Sequence, residues 1–88
     1  MAYNNEGWCL WQMGKYSEAI EVFKKALEES PNFADSLYNL GIIYRNLGRY
    51  REARDNFKLI LKIAPDKYPA LDSIVKDLEY LILRRRTK

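Results

Sequence analysis

The sequence holds one side chain that could act as a strong nucleophile, Cys9, and no histidine to activate it. Hydrolysis by Ser–His or Cys–His pairs is thereby excluded, because both need a base beside the nucleophile. One cysteine without histidine also excludes a zinc site of the usual kind. It forms no internal disulfide, which fits a reducing compartment. Cys9 reads more readily as a small buried core residue than as a reactive thiol. The acids Glu18 and Glu52 recur at the start of helical stretches, where a carboxylate favours the positive end of the dipole, so they need no catalytic role. No phosphate-binding loop is present. The chain is therefore expected to be no enzyme and to use no cofactor and no metal. What remains is recognition chemistry: Trp8, Trp11, the tyrosines, and the arginines at 45, 49, 51, 54 and 84–86. Both arginine groups read as solvated, one around a turn and one at a helix end. Trp8 and Trp11 have two readings, a binding surface or the core.

The elements that must position these residues follow from a repeat. Asn39 to Phe57 reads "NLGIIYRNLGRYREARDNF". Apolar residues recur three and four apart, as in a helix, yet Gly41 and Gly48 interrupt the stretch. A glycine in a helix interior costs about 0.5–1 kcal/mol relative to alanine. The remaining two glycines, Gly7 and Gly14, each lie 34 residues earlier. The same offset joins Pro31 to Pro65, Asn5 to Asn39, Tyr16 to Tyr50, Ala19 to Ala53, Phe23 to Phe57 and Leu27 to Leu61. The glycines thus belong to a repeating unit. Gly14 and Gly48 close short turns between helices. Gly7 and Gly41 fall mid-helix, where a missing side chain lets a neighbouring helix approach.

Five helices account for the pattern, and no strand pattern occurs. They cover about Ala2 to Met13, Ser17 to Glu29, Ala34 to Leu47 and Arg51 to Ile63, with a fifth starting near Pro69. Pro31 and Pro65 mark breaks, since the residue before a proline leaves the helical region. Pro69 suits a first helical turn, where its missing N–H is not needed. The fifth helix presents Leu71, Ile74, Val75, Leu78 and Ile82 as one apolar stripe. It ends in Arg84-Arg85-Arg86, cations that suit a helix C-terminus.

At 88 residues the chain is at most one domain. Its 48% hydrophobic content is too high for disorder. No run approaches the ~20 apolar residues of a membrane span, and no secretory signal is visible. These features point to a cytoplasmic protein without a membrane partner. Residues 1–33 carry three basic and five acidic side chains, or −2; residues 34–67 carry seven and four, or +3; residues 68–88 carry five and three, or +2. The bias falls well short of a nucleic-acid binder, so nucleic acid is not the expected partner. The chain starts directly in a helix with no capping residue, so it also reads as part of a larger protein.

Residues 37–65 read Leu37-x2-Leu40-Gly41-x2-Tyr44, Ala53-x3-Phe57 and Pro65. This resembles the tetratricopeptide repeat (TPR), a 34-residue helix–turn–helix unit. The first unit matches with Tyr3, Gly7, Leu10, Ala19, Phe23 and Pro31, but Glu6 stands where leucine is usual. The third begins at Tyr68, has Val75 in the glycine position and stops after one helix. The resemblance implies one TPR domain over 1–88: repeat 1 at about 1–33, repeat 2 at 34–67 and a capping helix at 68–86. The implied fold is all-α, a right-handed α-solenoid of two antiparallel helix pairs plus the fifth helix. The implied function is a non-catalytic protein–protein interaction module that holds a peptide or helix of a partner in a concave groove.

In such a stack the first helix of each pair lines the groove. The groove side would carry Asn4, Trp8, Trp11 and Gln12, then Asp35, Tyr38, Ile42, Arg45 and Asn46, then Asp72, Lys76, Glu79 and Tyr80. The implied partner-binding residues are Asn4, Trp8, Trp11, Gln12, Tyr38, Ile42, Arg45 and Lys76. Apolar surface gathered in a concavity usually marks an interaction site. Some members of the family clamp acidic chaperone tails with Lys and Asn on the first helix, Asn on the third, and Lys and Arg on the fifth. Those positions here hold Asn4, Trp8, Asn39, Pro69 and Ser73, so only Asn39 fits, and that mode is set aside. An alternative to peptide binding is a self-associating fragment, or an assembly module of a larger protein, because the edge of the first helix pair is uncapped. A homo-oligomer is therefore the second candidate partner.

Overall fold

The computed structural model describes the backbone of residues 2–29 and 34–86, and the side-chain surroundings of 5–29 and 34–85. The expected break at Ser30-Pro31-Asn32 and the side chain of Asn4 lie outside the described residues. Five helices form: α1 (Ala2–Gln12), α2 (Tyr16–Glu29), α3 (Ala34–Asn46), α4 (Tyr50–Ile63) and α5 (Leu71–Arg86). No strand occurs among the described residues. The boundaries of the first four fall within one residue of those expected. Each helix packs mainly on its neighbours in sequence, α1 on α2, α2 on α3, α3 on α4 and α4 on α5, which makes an all-α solenoid.

The turns within each pair close on glycine. Gly14 and Gly48 adopt φ of 79° and 80°, a left-handed conformation that costs a residue with a Cβ roughly 1–2 kcal/mol. The N–H groups of Lys15 and Arg49 then bond back to the carbonyls of Leu10 and Tyr44.

The core is the repeated set of positions. Ala19, Phe23, Ile43, Ala53, Phe57 and Ile60 are fully buried, and Leu37, Leu40 and Tyr44 nearly so. The mid-helix glycines are buried against the phenylalanines of the partner helices. A Cβ built on Gly7 would fall 2.5 Å from Cζ of Phe23, and one on Gly41 would fall 2.5 Å from Cε1 of Phe57. The rings occupy the space that a side chain would need.

α5 lays Leu71, Val75, Leu78 and Ile82 against α4, all buried, with Ile74 half-buried beside them. Its start differs from expectation. Pro69 is not in the first helical turn, because the helix begins at Leu71. The chain before it is anchored instead on α3 through Lys67 and Tyr68.

Cys9 also differs. It is exposed rather than buried. The equivalent position in the second repeat is Ile43, which is fully buried. α3 is flanked by α2 on one side and α4 on the other, whereas α1 packs chiefly on α2 alone. The slot that α2 covers on α3 therefore faces solvent on α1.

Candidate functional site

Trp8 and Trp11 stand three residues apart on α1, so their rings leave the same face of the helix. The two rings meet edge to face with centroids 6.4 Å apart. Trp8 also meets the ring of Phe23 at 5.7 Å, and Trp11 tilts against Tyr16 at 4.5 Å. Both indoles are half-buried and packed against the core. Each thus supports the core with one part of its ring system and leaves the rest accessible. Gln12, the next residue, is exposed.

On α3, Tyr38 and Ile42 are half-buried and packed against the same core. Tyr38 meets Phe57 at 5.8 Å and stacks almost parallel on Tyr68 at 4.2 Å. The Tyr68 hydroxyl donates to Oδ1 of Asp35, and Nζ of Lys67 lies 3.4 Å from the same oxygen. Burial raises the Tyr68 phenol well above its ordinary range, and the bond to Asp35 pushes it the same way. The segment before α5 is thereby tied to the start of α3. Arg45 is half-buried one turn beyond Ile42. Lys76 is exposed on α5 and lies 3.6 Å from Asp72, one turn earlier.

The ring–ring contacts among the described residues fall in two sets. One contains Trp8, Trp11, Tyr16 and Phe23, and the other Tyr38, Phe57 and Tyr68. No ring contact links the sets among the described residues. Asp35 and Tyr68 form a polar latch that the sequence did not signal, because it depends on how a loop folds back onto a helix.

The period, the paired helices and the glycine–phenylalanine contacts have a counterpart among known families. The Tetratricopeptide repeat family model matches residues 10–78. The chain belongs to the tetratricopeptide-repeat family. It is 35% identical over 63 residues to "Peptidyl-prolyl cis-trans isomerase PASTICCINO1" of Arabidopsis thaliana, covering 72% of this chain and 10% of that protein. It is 38% identical over 61 residues to "Superkiller complex protein 3" of Mus musculus, covering 69% of this chain and 4% of that protein. It is 49% identical over 39 residues to "Photosystem I assembly protein Ycf3" of a Synechococcus strain, covering 44% of this chain and 22% of that protein. The chain thus spans a small part of each.

Tetratricopeptide repeats are generally non-catalytic units that engage other proteins. The isomerase name belongs to a protein of which this TPR segment matches a tenth. Among the described residues no cluster of Cys, Asp and Glu is placed to hold a metal ion, and no helix is long and apolar enough to cross a membrane.

Proposed function

We propose that this TPR module binds a peptide or helix of a partner protein along the face formed by α1, α3 and α5. The observation that carries the reading is the state of Trp8, Trp11, Tyr38 and Ile42. All four pack on the core yet stay only half-buried. Large side chains held rigid by the core and left partly accessible lose little entropy on binding, and Trp and Tyr dominate binding hot spots. Arg45 and Lys76 at the rim, with Gln12 at the α1 side, supply polar contacts. The two cations favour a partner with some acidic residues, chiefly through association rate.

Affinity capture with wild type, Trp11→Ala and Leu59→Ala, followed by mass spectrometry, tests the reading. Leu59 is exposed on α4 and controls for general surface changes. A protein held by wild type and by Leu59→Ala, and lost with Trp11→Ala, supports the groove. Equal capture by all three removes it.

A second reading, self-assembly, rests on the outer side of α1. Cys9 is exposed and Met13 is 63% exposed, whereas the equivalent Ile43 is fully buried and Leu47 is 37% exposed. This edge would suit another helix pair, from a second copy or from elsewhere in a larger protein. A strict monomer across micromolar concentrations in sedimentation would count against a second copy.

A further inference from the structure

α5 is longer than its counterparts require. α1 and α3 end at Gln12 and Asn46, the same position in the 34-residue period. In the third unit that position is Tyr80, yet α5 continues to Arg86. The position of the turn glycines, Gly14 and Gly48, is Ile82 there, so nothing stops the helix. Its overrun lies across the α3–α4 turn. Ile82 is buried, and the Arg85 guanidinium packs 4.6 Å from the Tyr50 ring centroid while donating from Nη1 to the Gly48 carbonyl at 2.7 Å.

Overrun and turn border an open pocket of about 480 Å³, lined by Arg49, Tyr50, Arg51, Glu52, Ile82 and Arg85 beside Gly48. The first turn has no such wall. A Cβ on Gly14 would meet nothing within 4 Å, whereas one on Gly48 would meet Nη2 of Arg85 at 3.2 Å.

The pocket carries three arginines against one glutamate. Glu52 is already engaged, since both of its oxygens accept from Arg49, at 2.6 and 2.7 Å. The net positive charge therefore resides on Arg51 and Arg85. Arg51 is exposed and makes no hydrogen bond or ion pair among the described residues. Arg85 has further N–H donors beyond the one given to Gly48. The positive end of the α4 dipole adds the same sign.

We propose that this pocket is a second binding site, separate from the groove, that takes a carboxylate-rich segment of a peptide. An incoming carboxylate would find donors on Arg51 and Arg85 without breaking the Arg49–Glu52 pair, with the Tyr50 ring and Ile82 as the apolar wall.

Titration of ¹⁵N-labelled protein with a hexaglutamate peptide at low salt tests this. Saturable shifts are expected at the amides of residues 48–52 and 82–85, weakening as salt is added. Arg51→Gln should reduce affinity about tenfold, the loss expected for one charge-assisted contact. Arg85→Gln should reduce it at least as much. Arg54→Gln removes the same charge from a residue paired with Asp55 outside the pocket, and should leave affinity within about twofold. No saturable shift at 48–52 would overturn the proposal. Equal losses in Arg51→Gln and Arg54→Gln would do so too, by showing diffuse attraction. Saturation by inorganic phosphate but not by hexaglutamate would also overturn it.

Discussion

The Phe57 ring occupies the position that a side chain on residue 41 would take, with Cε1, Cζ and Cδ1 at 2.5, 2.6 and 3.0 Å from an ideal Cβ on Gly41. Phe57 is fully buried and also packs on Tyr38, so its ring has little room to yield. Gly41→Leu should therefore destabilise by about 1–3 kcal/mol through overpacking, despite a helix-propensity gain near 1 kcal/mol. Thermal and urea unfolding followed by circular dichroism check this. An unchanged or higher midpoint would show that the glycine has no packing role.

α5 buries Leu71, Val75, Leu78 and Ile82, while Phe57 and Ile60 of α4 are fully buried and Leu61 is half-buried. Removing residues 68–88 would uncover that side of α4. Each large apolar side chain returned to water forfeits roughly 1.5–3 kcal/mol, which a domain of this size cannot absorb several times over. The truncated chain should aggregate or lose cooperative unfolding. Size-exclusion chromatography and a melting curve decide the matter; a soluble 1–67 fragment with a sharp transition contradicts it.

Tyr68 gives a pH-dependent expectation. Its folded phenol is raised above its unfolded value, so the folded state holds the proton more tightly. The stabilisation is complete below the unfolded value of about 10 and is lost as pH rises beyond it. Tyr68→Phe removes the hydroxyl bonded to Asp35 and should cost about 0.5–1.5 kcal/mol at neutral pH. The variant should then lose less further stability between pH 9 and about 11 than wild type does. Urea unfolding at several alkaline pH values measures both. Parallel losses in the two proteins would show that Tyr68 contributes nothing to the alkaline slope.

Much of this architecture is legible in the sequence because it depends on local spacing. The 34-residue offset of Gly7/Gly41, Gly14/Gly48 and Phe23/Phe57 reports both the helix pairs and their close contacts. The apolar stripe of α5 reports its one buried face. Cys9 was misread because residue type says nothing of whether a neighbouring helix exists. Its chemistry suits a core, and Ile43 at the same position is in one, but no described helix covers α1 on that side. The Tyr38–Tyr68 stack and the Arg85 contact with Gly48 were missed for a related reason. Each joins residues 30 or more apart, and neither belongs to the repeated pattern. That α5 runs on to the arginines is legible in the apolar stripe that reaches Ile82 and in the cations at 84–86. The groove residues were chosen by helical spacing, which fixes the face of a helix but not how much of each ring the core retains.

Trp11 separates binding from packing. Its ring touches Trp8 and Tyr16 and remains half-buried, whereas Phe57 is fully buried at the centre of the second helix pair. Truncating Phe57 to alanine leaves a cavity and should cost about 3–5 kcal/mol of stability. Truncating Trp11 removes a side chain with solvent on one side, and the loss should be smaller. If the half-exposed indole anchors a partner segment, Trp11→Ala should weaken binding by about 2 kcal/mol or more, the range of a hot-spot residue. The two quantities are measured separately, stability by urea unfolding and affinity by calorimetry with a captured partner peptide. A Trp11→Ala protein that fails to fold would make Trp11 a core residue. A folded variant with wild-type affinity would make it a bystander, and either outcome would remove it from the groove.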